Sequence, residues 1–334
     1  MGTIYVTQPD AYIGKTDERL QVKANKKCLL DVPLIKIEGV VVFGRATISP
    51  AAIIELLERK IPLTFLTETG KYLGCLQPEL TKNIFVRSAQ WEVSKNNDRQ
   101  LHVVRGFIRG KLKNYRNTLL RARREGTIEE AEGSIASLDS TIQGLKSGAN
   151  VNTLRGLEGA GSAVYFGLFG QLIRNPEFKF TVRTRRPPTD PVNALLSLGY
   201  TLLLNDIKSA LNMIGFDPYL GYLHVQHYGR PSLALDLMEE FRPIVVDAFV
   251  LAALNRKEIM PEHFTQEPIS NAVFLTKEGW QVFLRLYEKK KQSEFKHPVL
   301  NQKCSYQRSF EIQGRLLAKY LMGETDKYPP LILK

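Results

Sequence analysis

Cysteine is scarce in this chain. Cys28, Cys75 and Cys304 stand far apart and are odd in number. They form neither a zinc-ligand pattern nor a disulfide framework, which suits a reducing compartment. A long apolar run is also missing. The longest, Ile244 to Leu254, contains Asp247 and falls well short of the roughly 20 residues of a membrane span. It reads as a buried helix. No secretory leader pattern precedes the first strand, so the expected compartment is the cytoplasm, with no membrane contact. Acidic residues are absent between Arg99 and Arg124, a stretch holding nine basic ones. Over the whole chain Lys plus Arg is 46 against 34 Asp plus Glu, a net +12. That balance suggests a polyanionic partner, such as nucleic acid or an acidic membrane surface.

The 334 residues suffice for about two domains with their own cores. Residues 1–90 read as β-rich. Thr3 to Thr7 and Leu20 to Ala24 alternate apolar and polar, the period of a half-buried strand. Ile35 to Phe43 and Pro62 to Leu66 are continuous and β-branched, which suits a buried strand. Between them, Ser49-Pro50 is an N-cap followed by a first-turn proline. Thr69-Gly70 marks a hairpin turn before Tyr72 to Leu76. Nothing in this part looks like an active site, so it reads as a scaffold or dimerisation module.

From about residue 91 the periodicity becomes helical. The expected fold is α+β in two domains: a β-sandwich-like domain over 1–90 and an all-α domain over 91–334. Arg105, Arg109, Lys113 and Arg116 recur at helical spacing, so one stripe carries them and can track a phosphate backbone. Phe107, Leu112, Tyr115 and Leu119 then face the core. Thr127 and Glu130 suggest a capping box, and Asn152 a cap for the following helix. Gly156, Gly159 and Gly161 flank Glu158 and lower helix propensity, which calls for a close approach by another helix or by DNA. Asp190 and Pro191 start a helix on which Asn193 and Tyr200 share a face. The last residues, Tyr328 to Lys334, read as extended.

The stretch Pro218 to Pro243 gathers His224, His227, Asp236, Glu239, Glu240, Arg230 and Arg242. Imidazole and carboxylates are ligands for a divalent cation, and arginines hold phosphate oxygens. Pro243 should bend or stop the helix beside these acids. A solvated amphipathic helix would show the same residues.

GYLH (Gly221–His224), followed by GRPSLALDLMEEFRP (Gly229–Pro243), resembles the signature of the CRISPR-associated endonuclease and integrase of spacer acquisition. Gly156-Leu157-Glu158-Gly159 and RTRRPPTDPVN (Arg183–Asn193) match in the same order, and the resemblance covers nearly the whole chain. It implies a metal-dependent DNA endonuclease and integrase. Such an enzyme inserts short double-stranded fragments into repeat DNA by attack of a 3′-hydroxyl on a phosphodiester. It implies Mg2+ or Mn2+ held by Glu158, His224 and Glu239, with Asp236 as the alternative third ligand. Arg183, Arg185 and Arg186 would join Arg230 and Arg242 in phosphate contacts, with Asn193 and Tyr200 in support. The resemblance also implies a homodimer paired through the N-terminal part, and a small partner protein of the adaptation complex. A branched-DNA repair nuclease would use the same site with water as nucleophile. A non-catalytic architectural DNA-binding protein would keep the basic stripe but would not need the three ligands to converge.

Overall fold

The alternation in the first residues builds two four-stranded sheets. In the first, β1 (Gly2–Val6), β5 (Ile37–Phe43) and β7 (Leu63–Leu66) run parallel, and β8 (Tyr72–Leu76) closes the edge antiparallel to β7. The second runs β4 (Lys27–Pro33), β3 (Arg19–Ala24), β2 (Ala11–Thr16) and β6 (Ala46–Ile48). Here β4, β3 and β2 are antiparallel, while β6 pairs parallel with β2. Inward residues of both sheets, among them Val6, Ile13, Val22, Val42 and Leu63, share one core with Leu56 of helix α1 (Pro50–Glu58). This is the expected sandwich-like arrangement. The Ser49 side chain accepts from the Ala52 amide, capping α1 as its sequence requires. Gly70 adopts φ +86°, the left-handed turn conformation that favours glycine, between β7 and β8.

This computed structural model describes every residue except Met1, Gln77, Leu80, Lys82, Arg185 and Arg186. The chain divides into two units, Met1–Thr81 and Lys82–Lys334. The change expected near residue 90 thus lies inside helix α2 (Ile84–Lys95).

The second unit is helical, with two short hairpins as additions to the expected all-α layout: β9 (Phe264–Gln266) with β10 (Val273–Leu275), and β11 (Glu294–Lys296) with β12 (Lys303–Ser305). Its axis is α3 (Asn97–Arg124), packed by α4 (Glu132–Gly144) and α5 (Val151–Phe169). Phe107, Leu112, Tyr115 and Leu119 are buried along α3. The capping box at Thr127 does not form: α4 begins at Glu132 after Ala131, with no side-chain cap. The cap of α5 is Asn150, whose oxygen accepts from the Thr153 amide, not Asn152. Helix α6 (Pro191–Ile214) starts as expected, with Asp190 accepting from the Asn193 amide. The short α7 (Ser232–Met238) stops just before Glu239. A π-helical turn, Arg242–Asp247, carries Pro243 into α8 (Ala248–Asn255). Proline cannot supply an amide to the regular ladder, so the helix breaks beside the acids. The unit is completed by α9 (Lys277–Gln292) and α10 (Tyr306–Leu321).

Candidate active site

Three segments converge: the middle of α3, the middle of α5, and the stretch from Gly221 to Asp247. Asp236 fixes the last of these. Its buried carboxylate accepts the amides of Tyr222 at 2.6 Å, Leu223 at 2.9 Å and His224 at 2.9 Å, and lies 2.7 Å from His224 Nδ1. A Cβ on Gly221 would meet Ser232 and Asp236 at under 3 Å, so the chain passes here only as glycine. With Asp236 accepting at Nδ1, the imidazole proton sits there and Nε2 presents its lone pair. Nε2 lies 3.8 Å from Glu239 Oε1.

Glu158 comes to the same place from α5, accepting from Ser162 Oγ at 2.9 Å. Between Glu158 and Glu239 stands a residue the sequence did not point to. The Lys111 ammonium pairs with Glu158 Oε1 and lies 2.7 Å from Glu239 Oε2. The second contact is off the hydrogen-bonding direction, so Glu239 Oε2 is a buried oxygen with a charge partner but no hydrogen bond. Arg242 Nε holds Glu239 Oε1 at 3.1 Å. Burial alone would raise the Glu239 carboxyl, but the Arg242 and Lys111 charges outweigh it and hold it down to about 2. Two carboxylates, one ammonium and one guanidinium therefore form a neutral cluster.

The donor set suits a divalent cation: one imidazole nitrogen and two carboxylates, one with an unsatisfied oxygen. Among the described residues no three His, Cys, Asp or Glu side chains are already gathered at metal-binding distances. Lys111 holds the two glutamates in its own geometry, and a cation would take the ammonium's place between them. Asp236, the alternative third ligand, already spends both oxygens on amides and on the His224 ring. Its place is behind His224.

The arginines divide by what they touch. Arg183 donates to Asn193 Oδ1 at 2.7 Å and Ser197 Oγ at 3.0 Å. Asn193 is fully buried and also donates to Val182 O and Asp190. It braces the segment holding Arg183 instead of facing solvent. The Tyr200 ring lies under both Arg183 and Arg242, at 5.5 and 4.5 Å, and its hydroxyl donates to Asp247 Oδ1 at 2.5 Å. Burial pushes the Asp247 carboxyl up to about 6 against the opposing effects of Tyr200 and Arg242. Arg230 is exposed on the loop after His224. Arg185 and Arg186 lie outside the described residues.

The α3 stripe is less uniform than its spacing suggests. Arg105 spends its donors on Leu145 O at 3.0 Å and Gly148 O at 2.9 Å. Arg116 pairs with Asp139 of α4 at 2.6 Å. Both hold α4 and the loop after it against α3. Arg109 and Lys113 are half-exposed. Of the glycines around Glu158, Gly161 packs against Leu112 and Leu138, which accounts for it within the chain. Among the described residues nothing lies within 4 Å of a Cβ built on Gly156 or Gly159, beside Glu158.

The neighbouring face of α3 has another use. Gly106 lets Tyr328 lie flat against the helix, and Gly110 admits Glu240 and Pro330. Asn114 donates to Glu240 O at 3.0 Å and Leu331 O at 2.9 Å, and accepts from the Leu333 amide at 3.0 Å. The extended tail is thus docked on α3. Glu240 turns away from the cluster and accepts from Tyr328 OH, Gln313 Nε2 and the Leu331 amide at 2.5, 2.9 and 2.7 Å. Burial nevertheless raises its carboxyl to about 8. No helix among the described residues is long and apolar enough to cross a membrane.

Comparison with known proteins gives one answer. Residues 4–289 match the family described as CRISPR associated protein Cas1. A CRISPR-associated endonuclease Cas1 from Thermus thermophilus is 37% identical, over 100% of this chain and 98% of the relative. The solved Cas1 protein of Thermotoga maritima superposes with a TM-score of 0.80 and 26% identity, covering 97% of each chain. A chain from a structure titled partial Cas6-RT-Cas1–Cas2 complex gives a TM-score of 0.69 at 25% identity, covering 100% of both.

Proposed function

We propose, from the premise that this chain belongs to the Cas1 family of CRISPR-associated proteins, that it is a DNA endonuclease and integrase of spacer acquisition. The observation that supports the reading is that Glu158 and Glu239 share the Lys111 ammonium while His224 Nε2 lies 3.8 Å from Glu239 Oε1. An architectural DNA-binding protein has no use for a buried glutamate that lies beside a histidine and shares an ammonium with a second glutamate.

In this reading Glu158, His224 Nε2 and Glu239 hold Mg2+ or Mn2+. A divalent ion held there would supply Lewis-acid stabilisation of the negative charge on a phosphodiester undergoing in-line displacement. The remaining work belongs to the chain. Asp236 keeps the His224 proton on Nδ1 and so keeps Nε2 available. Arg242 anchors Glu239 in its rotamer, and the Tyr200 ring beneath Arg242 and Arg183 keeps both guanidiniums in register. Lys111, Arg183 and Arg242 supply positive charge where a phosphodiester would lie. Gly156 and Gly159 leave the α5 surface bare beside Glu158, so a DNA backbone can come close. Arg109, Lys113 and Arg230 are the half-exposed and exposed cations that can track its phosphates.

The nucleophile is the 3′-hydroxyl of an incoming double-stranded fragment during integration, and water during nicking. The test is a joining assay with repeat-containing target DNA. Fragments ending in 3′-hydroxyl should be inserted, and the same fragments ending in 3′-deoxy should not. Nicking that persists with no joining of either fragment would favour the branched-DNA repair nuclease.

The first unit serves as the homodimer module. Its edge strand β4 exposes Leu29 and Leu30, an unpaired apolar edge that a second copy can cover. A small partner protein is expected too, because the titled Cas1–Cas2 complex contains a chain of this shape.

A further inference from the structure

Residues 328–334 are packed into the second unit. Tyr328 is 3% exposed and Leu331 is fully buried. The segment runs along α3, whose side chains serve it as a second strand would. Asn114 Nδ2 donates to Leu331 O, and its Oδ1 accepts from the Leu333 amide. Asn117 Nδ2 donates to Leu333 O at 2.6 Å, and Arg121 Nη2 to Lys334 O at 3.2 Å. The Tyr328 ring meets that of Phe107 edge-on at 5.4 Å.

The segment is fastened where regular structure supports the site least. Helix α7 ends at Met238, and Pro243 has no amide to give the Glu239 carbonyl. Glu239 therefore sits in a break in the helix. The next residue, Glu240, is held by both backbone and side chain. Its carbonyl accepts from Asn114 Nδ2, the same group that holds Leu331 O. Its carboxyl accepts from Tyr328, from the Leu331 amide and from Gln313 of α10, whose Nε2 also lies 3.1 Å from Pro329 O. On α3 the approach is closest at Gly110, where a Cβ would meet Glu240 Cγ at 2.8 Å and Pro330 Cβ at 3.1 Å. The following residue of α3 is Lys111. An apolar side chain at position 240 would pack against the tail at less cost than a buried carboxyl. What the carboxyl adds is direction, because hydrogen bonds hold their partners at defined angles.

We propose that residues 328–334 are a positioning strap for the catalytic cluster, acting through Glu240 and Asn114 to fix where Glu239 and Lys111 stand. The inference rests on the reading of Glu158, His224 and Glu239 as a metal site. With the strap in place, a cation that displaces the ammonium meets a carboxylate already aimed. Without it the break around Glu239 is free to move, and binding the ion must first order it. Groups that hold metal ligands from behind change metal affinity by about 10–100-fold.

The test uses the full chain with Leu331→Asp, which would bury a second carboxylate beside Glu240 and so release the strap. Leu331→Met keeps the apolar contact and should behave as wild type. In EDTA, amide hydrogen exchange in Leu331→Asp should quicken at residues 110–114 and 239–242, and stay at the wild-type rate in α9. With duplex DNA bound, the Mn2+ concentration that half-fills the site, read from loss of the free-ion EPR signal, should rise about tenfold or more. Joining should need the same excess of Mn2+ and recover at saturating metal. DNA affinity in EDTA should not change. Tyr328→Phe removes one hydroxyl and keeps the ring, so it should shift the Mn2+ requirement in the same direction by less, and it decides the matter if Leu331→Asp does not fold. Unchanged Mn2+ affinity in these variants would overturn the proposal. So would exchange quickened evenly across the second unit, which would leave the tail as a mere cover for α3. If wild-type protein joins no DNA, the functional reading fails, while exchange in EDTA still decides whether the tail holds the residues around Glu239 and Lys111.

Discussion

Lys111→Met tests the balance of charge in the site. It removes a buried ammonium that faces two carboxylates, and methionine keeps most of the volume. The Lys111 side chain is 7% exposed, that of Glu239 5% and that of Glu158 25%. Breaking a buried ion pair from one side costs about 3–5 kcal/mol, because a charge stays buried without its partner. Arg242 remains on Glu239 and Glu158 keeps partial solvent access, so the cost lies near the lower end, about 3 kcal/mol. For a unit of this size that lowers the melting temperature by about 6–12 °C in EDTA. Manganese should then act differently on the two proteins. In wild type the ion must displace an ammonium from a neutral cluster, so millimolar Mn2+ should stabilise weakly without DNA. In the variant the two glutamates lack their cation, and metal at a hundred times its Kd would return about 2.7 kcal/mol. The measurement is a thermal unfolding series in EDTA and in Mn2+ for both proteins. A variant as stable as wild type in EDTA, or an equal metal-induced gain in both, would refute this account of Lys111.

Other outcomes follow from particular residues. Glu240 is raised to about 8 in the fold and would titrate near 4.3 when unfolded. The fold therefore binds the extra proton between those values, and its contribution, complete below pH 4, disappears as pH rises through 8. Asp247, raised to about 6, is largely spent by pH 7. Lys290, lowered to about 8 by burial, gains over that range about what Glu240 loses, so wild type and Glu240→Gln must be compared directly. Denaturant unfolding at pH 7 and pH 9 should show wild type losing roughly 1–2 kcal/mol relative to Glu240→Gln, and an unchanged difference would exclude Glu240. Arg109→Ala with Lys113→Ala should lower the magnitude of the log–log salt slope for duplex DNA by up to about 1.8, on any sequence. Arg105→Ala and Arg116→Ala should instead lower stability, since their guanidiniums hold α4 and its loop to α3. Leu29→Lys with Leu30→Lys should shift the protein from dimer to monomer in sedimentation, and an unchanged dimer would place the interface elsewhere.

The sequence pointed to Glu158, His224 and Glu239 but not to how hydrogen bonds and ion pairs arrange them. Asp190-Pro191 and Ser49-Pro50 fix helix starts by local chemistry, and both appear where they are read. The strand β4 escapes notice because its residues are mostly exposed and show no alternation. The α4 and α5 caps shift by a few residues, since several polar residues near each start could serve. Lys111 is one of nine basic residues between Arg99 and Arg124 and stands outside the Arg105, Arg109, Lys113 and Arg116 stripe. Only tertiary contact reveals that it turns inward to Glu158 and Glu239. The spacing of Gly106, Gly110 and Asn114 marks a neighbouring face of α3, crowded by Tyr328, Glu240 and Pro330. That face also accounts for the tail, whose docking partners are far away in sequence. Asp236 and Glu239 stand three apart in sequence, and only hydrogen bonds separate them: Asp236 is spent on three amides and the His224 ring, while Glu239 faces Lys111 and Arg242.

The central claim is that Glu158, His224 and Glu239 perform the chemistry while the surface cations hold the DNA. The most direct measurement is strand joining by His224→Ala in Mn2+ or Mg2+, paired with DNA binding by the same preparation. Loss of joining with binding close to wild type is the expected result, because a neutral imidazole neutralises no phosphate. Joining at the wild-type rate would contradict the account.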